Sequence, residues 1–235
     1  MYNDSEHLQQ VQEIKKLMGG VEVDDIDHAM HVAQLSDQLF RETLALHGFG
    51  EYELHILERA ALLHDSGVQY GIRGHHKTAL RIIQKLRLEG MEQRDNNIIA
   101  CVARYHRKSL PKKTHAIYKD LSASDRRKID ILGGLLRLAD AFDYEHDSGV
   151  DRLTCLISAS PDGKHSIMVT AEHHITHKDS LEHILHATHE KDKLFKQAFQ
   201  CRVSFSFMYV PHAVLYEVPA SVLYHQENLP AEKQW

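Results

Sequence analysis

The chain has 235 residues, 43% hydrophobic and 26% charged, a balance that excludes both a disordered polyelectrolyte and a fibre. Lys and Arg number 28 against 33 Asp and Glu, and the resulting net charge of −5 excludes a chain built throughout as a polyanion sink. No apolar run nears the roughly 20 residues of a spanning helix, the start Met1-Tyr2-Asn3-Asp4-Ser5-Glu6 lacks a secretory pattern, and three scattered cysteines (Cys101, Cys155, Cys201) suit a reducing compartment, so a cytoplasmic protein without membrane contact is expected.

In chain order, residues 6–18 read as an amphipathic helix stopped by Gly19-Gly20, giving an N-terminal unit over 1–20. Residues 24–47 follow, with His28, Val32, Leu35 and Leu39 on one helical face. The spacing next predicts a helix over 51–65, with Leu54, Leu57, Ala61 and His64 on one stripe, and another over 76–88. A helix over 95–107 carries Ile99, Val102 and His106, and one over 122–143 carries Ile129, Leu132, Leu136 and Asp140. These helices define a domain over 21–150. Strands over 151–158 and 165–172 about a Pro161-Asp162-Gly163 turn, a helix over 179–198 and a strand over 201–210 make a small α+β unit, 151–210. An extended tail, 211–235, ends the chain. The fold expected is mainly α, a helical bundle followed by that small α+β unit.

Histidine is the compositional anomaly, at 20 residues. His28, His64 and His106 sit on the apolar stripes of three helices, Asp140 takes the same kind of position on a fourth, and His76 opens a fifth. One such histidine is ordinarily a hydrogen-bonded core residue. Several converging imidazoles and carboxylates instead form a transition-metal ligand set, because buried charge must be paired or metal-bound. In the adjacent pair His64-Asp65, the carboxylate can bridge two cations while the imidazole binds one, which points to a two-metal site.

The set His28, His64-Asp65, Asp140 resembles the signature of HD-domain metal-dependent phosphohydrolases, and His76 and His106 resemble the extra histidines of its two-metal members. The stretches Ala60-Ala61-Leu62-Leu63-His64-Asp65-Ser66-Gly67, Gly74-His75-His76-Lys77, Arg104-Tyr105-His106-Arg107-Lys108 and Leu136-Arg137-Leu138-Ala139-Asp140-Ala141-Phe142-Asp143 are similar to the C-terminal HD module of the exopolyphosphatase and guanosine-pentaphosphate phosphohydrolase family. The strand-rich unit with Leu194-Phe195 extends the likeness over 20–210. The family's upstream actin-like nucleotide-binding lobes are not expected in 235 residues, and Thr78 stands where relatives often carry a further histidine.

The resemblance implies that His28, His64, Asp65 and Asp140 hold one divalent ion and that His76 and His106 hold a second, bridged by Asp65. Manganese or iron is expected ahead of zinc, with magnesium, cobalt and nickel as alternatives. A metal-bridging hydroxide would attack phosphorus, with His64, Asp65, Lys77 and Arg107 as the catalytic set. Residues 104–128 carry a local excess of seven positive charges. Within and around that segment Lys77, Arg104, Arg107, Lys108 and Arg137 are the expected phosphate contacts. His31 and His75 are expected as outer-shell neighbours of the ligands, and the group His173, His174, His177, His183, His186 and His189 as an exposed polar face. The substrate expected is a small phosphorylated molecule (nucleotide, alarmone or polyphosphate), with no specific nucleic acid partner and a homodimer left open. A non-catalytic polyphosphate- or nucleotide-binding module serving a partner is the alternative, and a mixed-valence di-iron oxygenase a third reading.

Overall fold

The computed structural model describes residues 15, 23, 25–159 and 165–211. Apart from Lys15 and Pro211, the N-terminal helix, the Pro161-Asp162-Gly163 turn and the tail anticipated above lie outside the described residues. What is described is mainly helical with a small three-stranded sheet at its C-terminal end, as the residue pattern anticipates. None of these helices is long and apolar enough to cross a membrane.

Helix α1 (Ile26–Glu42) starts where Asp25 caps it, its Oδ1 accepting from the His28 N–H at 3.0 Å. That cap sets the phase at which His28, Val32, Leu35 and Leu39 face inward. Thr43 ends the helix by donating its hydroxyl to the Leu39 carbonyl at 2.7 Å, and a short α2 (Leu44–His47) stops at Gly48 with φ of 67°. Then follow α3 (Glu51–Leu63), a 3-10 turn (Val68–Tyr70), α4 (His75–Ile83), α5 (Gln93–Arg104), α6 (Ala116–Asp120) and α7 (Ala123–Phe142). α7 is the spine: it is capped by Ser122, whose Oγ accepts from the Asp125 N–H at 3.1 Å, and it is buried from Ile131 to Phe142 without interruption.

The sheet holds β1 (Val150–Ala159), β2 (His165–His173) and β3 (Cys201–Tyr209) in that order. β1 and β2 are antiparallel, with Leu153 opposite Ala171; β2 and β3 are parallel, with Ile167 opposite Val203. The parallel pair needs a crossover, and α8 (Lys178–Lys191) and α9 (Lys193–Phe199) supply it. The expected single helix over 179–198 thus breaks at Asp192, which lets α9 turn Leu194, Phe195 and Phe199 inward against the spine. Gly133 and Gly134 of α7 permit the approach, since a Cβ on Gly134 would lie 3.0 Å from the Phe195 Cα. The free edge of β1 is occupied by α1 side chains: the Leu153 N–H donates to Gln38 Oε1 at 2.7 Å and the Cys155 N–H to Glu42 Oε2 at 2.8 Å. One apolar core consequently runs from Val32 and Leu57 through Leu136 to Val169 and Phe195.

Helices α3 and α5 end earlier than the spacing suggests, so His64, Asp65 and His106 sit in the turns just after them. Gly67 closes the first of these turns against α4, where a Cβ would collide with the His75 carbonyl and lie 2.8 Å from the Ala79 nitrogen. Gly67→Ala is therefore expected to destabilise the fold by about 1–3 kcal/mol in urea denaturation. Gly50→Ser, with open space around its Cβ, should shift stability by no more than about 0.5 kcal/mol.

Candidate metal centre

Four histidines and two aspartates meet where α1, the turn after α3, the start of α4, the turn after α5 and the end of α7 come together. His28, His64 and Asp65 present ligand-type atoms within 4.8 Å of one another, and so do Asp65, His75 and His106, so that Asp65 belongs to both groups. Asp140 closes the first, its Oδ1 lying 3.7 Å from His28 Nε2 and 3.9 Å from His64 Nε2. All four imidazoles are buried, His64 completely.

The tautomers follow from the neighbours. Nδ1–H of His64 donates to the Ala61 carbonyl at 2.6 Å, that of His106 to the Ala103 carbonyl at 2.6 Å, and that of His75 to the Ile72 carbonyl at 2.9 Å. A carbonyl only accepts, so in each ring the proton is assigned to Nδ1 and Nε2 faces inward as a bare lone pair. His28 follows the same plan with a carboxylate, its Nδ1 lying 2.7 Å from Asp143 Oδ2. Asp143 is itself fixed by His31 at 3.0 Å and by the Ser148 N–H at 3.0 Å. This arrangement of an outer acceptor behind each ring is how proteins orient metal-binding imidazoles.

The inward side lacks partners. His28 Nε2, His64 Nε2 and Asp65 Oδ1 are buried without a hydrogen-bond partner among the described residues. His75 Nε2 lies 3.3 Å from His106 Nε2 and 3.1 Å from Asp65 Oδ1. Lone pairs at such distances repel unless a proton or cation sits between them. Burial alone would raise the Asp65 carboxyl, but the surrounding His64, His75 and His106 outweigh it and hold it below the ordinary carboxylate range. Burial is likewise outweighed at Asp140, where Lys191, His28 and further imidazoles keep the carboxylate ionised. His28 is pushed up to about 9, its burial overcome by Asp140 and Asp143, whereas burial drives His106 down to about 3. These residues fit a pair of divalent cations: two ionised carboxylates and four inward imidazole nitrogens, with no thiolate among them.

His76, expected as a ligand from the sequence, belongs to neither group. Its ring centroid is 5.9 Å from that of His75 and 6.5 Å from that of His106, and burial with nearby cations pushes it down to about 4. The preceding residue, His75, takes the inward position. Adjacent residues of a helix differ by about 100° in direction, and the α4 start at Gly74, with φ of 87°, selects the first of the pair.

Outside the cations' candidate position lies a cleft of about 340 Å³ lined by Asp65, His106, Arg107, Lys108, Arg137, Asp140, Tyr144, His146, Glu190 and Lys191. Of the expected phosphate contacts, Arg107 and Lys108 line this cleft. Lys77 is exposed on α4 and Arg104 lies over the Tyr105 ring at 5.4 Å; neither lines the cleft. Arg137 lines it but commits Nη1 and Nε to backbone: Nη1 to the Tyr105 carbonyl at 3.0 Å and that of Lys108 at 3.4 Å, Nε to that of Lys191 at 3.3 Å. It braces the two walls. Asp143, Tyr144, His146 and Lys191 are members of the site that sequence reasoning missed. His146 stacks on His28 with centroids 3.7 Å apart, a contact made by a non-glycine residue at φ of 57°. His183, His186 and His189 are exposed, and no metal-type group forms among them in the described residues. Burial raises the Cys101 and Cys155 thiols to about 12 and Cys201 to about 11, and all three are free.

Removing the brace should loosen both walls together. Arg137→Met is expected to cost about 1–3 kcal/mol of stability, read from chemical denaturation, because three carbonyls at the cleft lose their buried donor.

The family model described as "Ppx/GppA phosphatase, domain III" matches residues 11–188, well over half of the chain. No curated protein matches it significantly. The chain belongs to the Ppx/GppA phosphatase domain III family, a membership that points to a phosphohydrolase acting on polyphosphate or nucleotides.

Proposed function

We propose that the protein is an HD-type, metal-dependent phosphohydrolase that cleaves a phosphate ester or phosphoanhydride of a nucleotide, an alarmone or polyphosphate. The observation that carries this reading is the unpartnered Asp65 Oδ1, buried between His64, His75 and His106 whose inward nitrogens are bare. One ion would take His28, His64, Asp65 and Asp140; the second would take Asp65, His75 and His106. Bound there, divalent manganese or iron would polarise a phosphoryl oxygen and supply a water acidic enough to ionise near neutrality.

The chain's own groups do the rest. Asp143 and the carbonyls of Ala61, Ile72 and Ala103 fix which ring nitrogen faces the substrate side. Arg107 and Lys108 lie on the cleft wall beyond His106 and would take phosphate oxygens. Arg137 holds that wall in register with Lys191 opposite. The small polyanion-sized cleft supports a small phosphorylated substrate, taken up in the cytoplasm, in preference to a long nucleic acid. A binding module without turnover would need the cationic rim but not the pinned imidazoles, and the latter favour catalysis.

Purified protein should carry about two transition ions per chain by elemental analysis and release phosphate from nucleotides, (p)ppGpp or short polyphosphate with Mn²⁺ or Fe²⁺. The double variant His64→Ala, Asp65→Ala should lose both ions and all turnover while its circular dichroism is unchanged; surviving turnover would refute the reading. The two adjacent histidines separate cleanly: His75→Ala should retain about one ion, His76→Ala about two.

A further inference from the structure

We propose that Lys191, the last residue of α8, is a substrate-binding residue that reaches from the C-terminal α+β unit into the cleft to hold a phosphoryl oxygen beside Asp140. The proposal rests on the phosphohydrolase reading above and adds a residue to it. Lys191 Nζ lies 2.6 Å from Asp140 Oδ2, and its side chain is 19% exposed, which places the ammonium at the cleft rather than in solvent or core. The two oxygens of Asp140 divide their surroundings. Oδ1 faces His28 and His64 within the candidate metal centre, while Oδ2 points outward to Lys191. The ammonium therefore stands on the substrate side of the carboxylate.

An ammonium has three donors, and Asp140 Oδ2 is the one hydrogen-bond partner described for this one. Two remain for a ligand. The backbone beneath it is not loose: Arg137 Nε donates to the Lys191 carbonyl, and the same guanidinium holds the Lys108 carbonyl across the cleft. The backbones of Lys191 and Lys108 are thus tied through one buried side chain, and both residues line the cleft with Arg107. Arg107, Lys108 and Lys191 line the mouth together, and their charge-assisted donors suit the oxygens of a phosphoryl group. A lysine present only to neutralise Asp140 would not need its neighbours to form a cationic rim. The sheet and α8 are then part of the site, not an appendage to it.

The test uses the full chain loaded with Mn²⁺ and compares Lys191→Met, Lys191→Arg and, as a surface control, Lys193→Met. Three readouts are taken: metal content, the Kd for inorganic phosphate by calorimetry, and KM against kcat for phosphate release. Lys191→Met should keep its metal, bind phosphate about tenfold more weakly or worse through loss of one charge-assisted hydrogen bond, and raise KM in parallel. Lys191→Arg should recover most of the affinity, and Lys193→Met should match the wild type. Unchanged phosphate affinity in Lys191→Met overturns the proposal. So does loss of metal together with phosphate, which would make Lys191 a positioning residue for Asp140. A wild-type protein that binds neither metal nor phosphate overturns the phosphohydrolase reading as well, whereas a wild type that binds both, with an unaltered Lys191→Met variant, overturns this proposal alone.

Discussion

A backbone carbonyl can only accept a hydrogen bond, and three of them, at Ala61, Ile72 and Ala103, decide what the middle of this protein can be. Each accepts from the Nδ1–H of a buried histidine and so turns its Nε2 inward, with Asp143 orienting His28 in the same way. Four inward imidazole nitrogens and two carboxylates are left facing one another in a buried space. Such groups cost several kcal/mol when left without partners, so the fold is built around a position that a cation would satisfy. The local backbone serves it throughout. Asp25 sets the phase of His28, the turns after α3 and α5 place His64 and His106, and Gly67 allows α4 close enough for His75.

The same centre explains why the sheet and its two helices belong to the bundle. α7 carries Asp140, with Asp143 capping its end, and Gly133 and Gly134 further back, so it presents the carboxylates while admitting α9 at backbone distance. Arg137, between these positions, reaches both the loop behind His106 and the end of α8. The cleft is thus assembled from elements remote in sequence, and its walls are coupled through one guanidinium. Tyr144 and His146, in the loop leading from α7 to β1, complete its lining.

The fold class and much of the centre were legible in the sequence, because both rest on helical periodicity. Val32, Leu35 and Leu39 mark the buried face on which His28 lies, and Ile129, Leu132 and Leu136 do the same for Asp140. Periodicity failed where a helix ends. It extended α3 and α5 through His64 and His106, which sit in turns, and it favoured His76 where the fold groups His75 with Asp65 and His106, since the start of α4 depends on the left-handed backbone of Gly74. It also ran α8 and α9 together, because nothing in the pattern marks Asp192 as a bend. Lys191 was beyond reach for a different reason: its partner lies 51 residues earlier in the chain and on another element.

Crystals grown with Mn²⁺, measured at the manganese absorption edge, test the central claim most directly. Two anomalous peaks are expected: one about 2.0–2.3 Å from His28 Nε2, His64 Nε2, Asp65 and Asp140, and a second at the same range from Asp65, His75 Nε2 and His106 Nε2. No peak at Asp65, or peaks confined to the exposed histidines of α8, would contradict it.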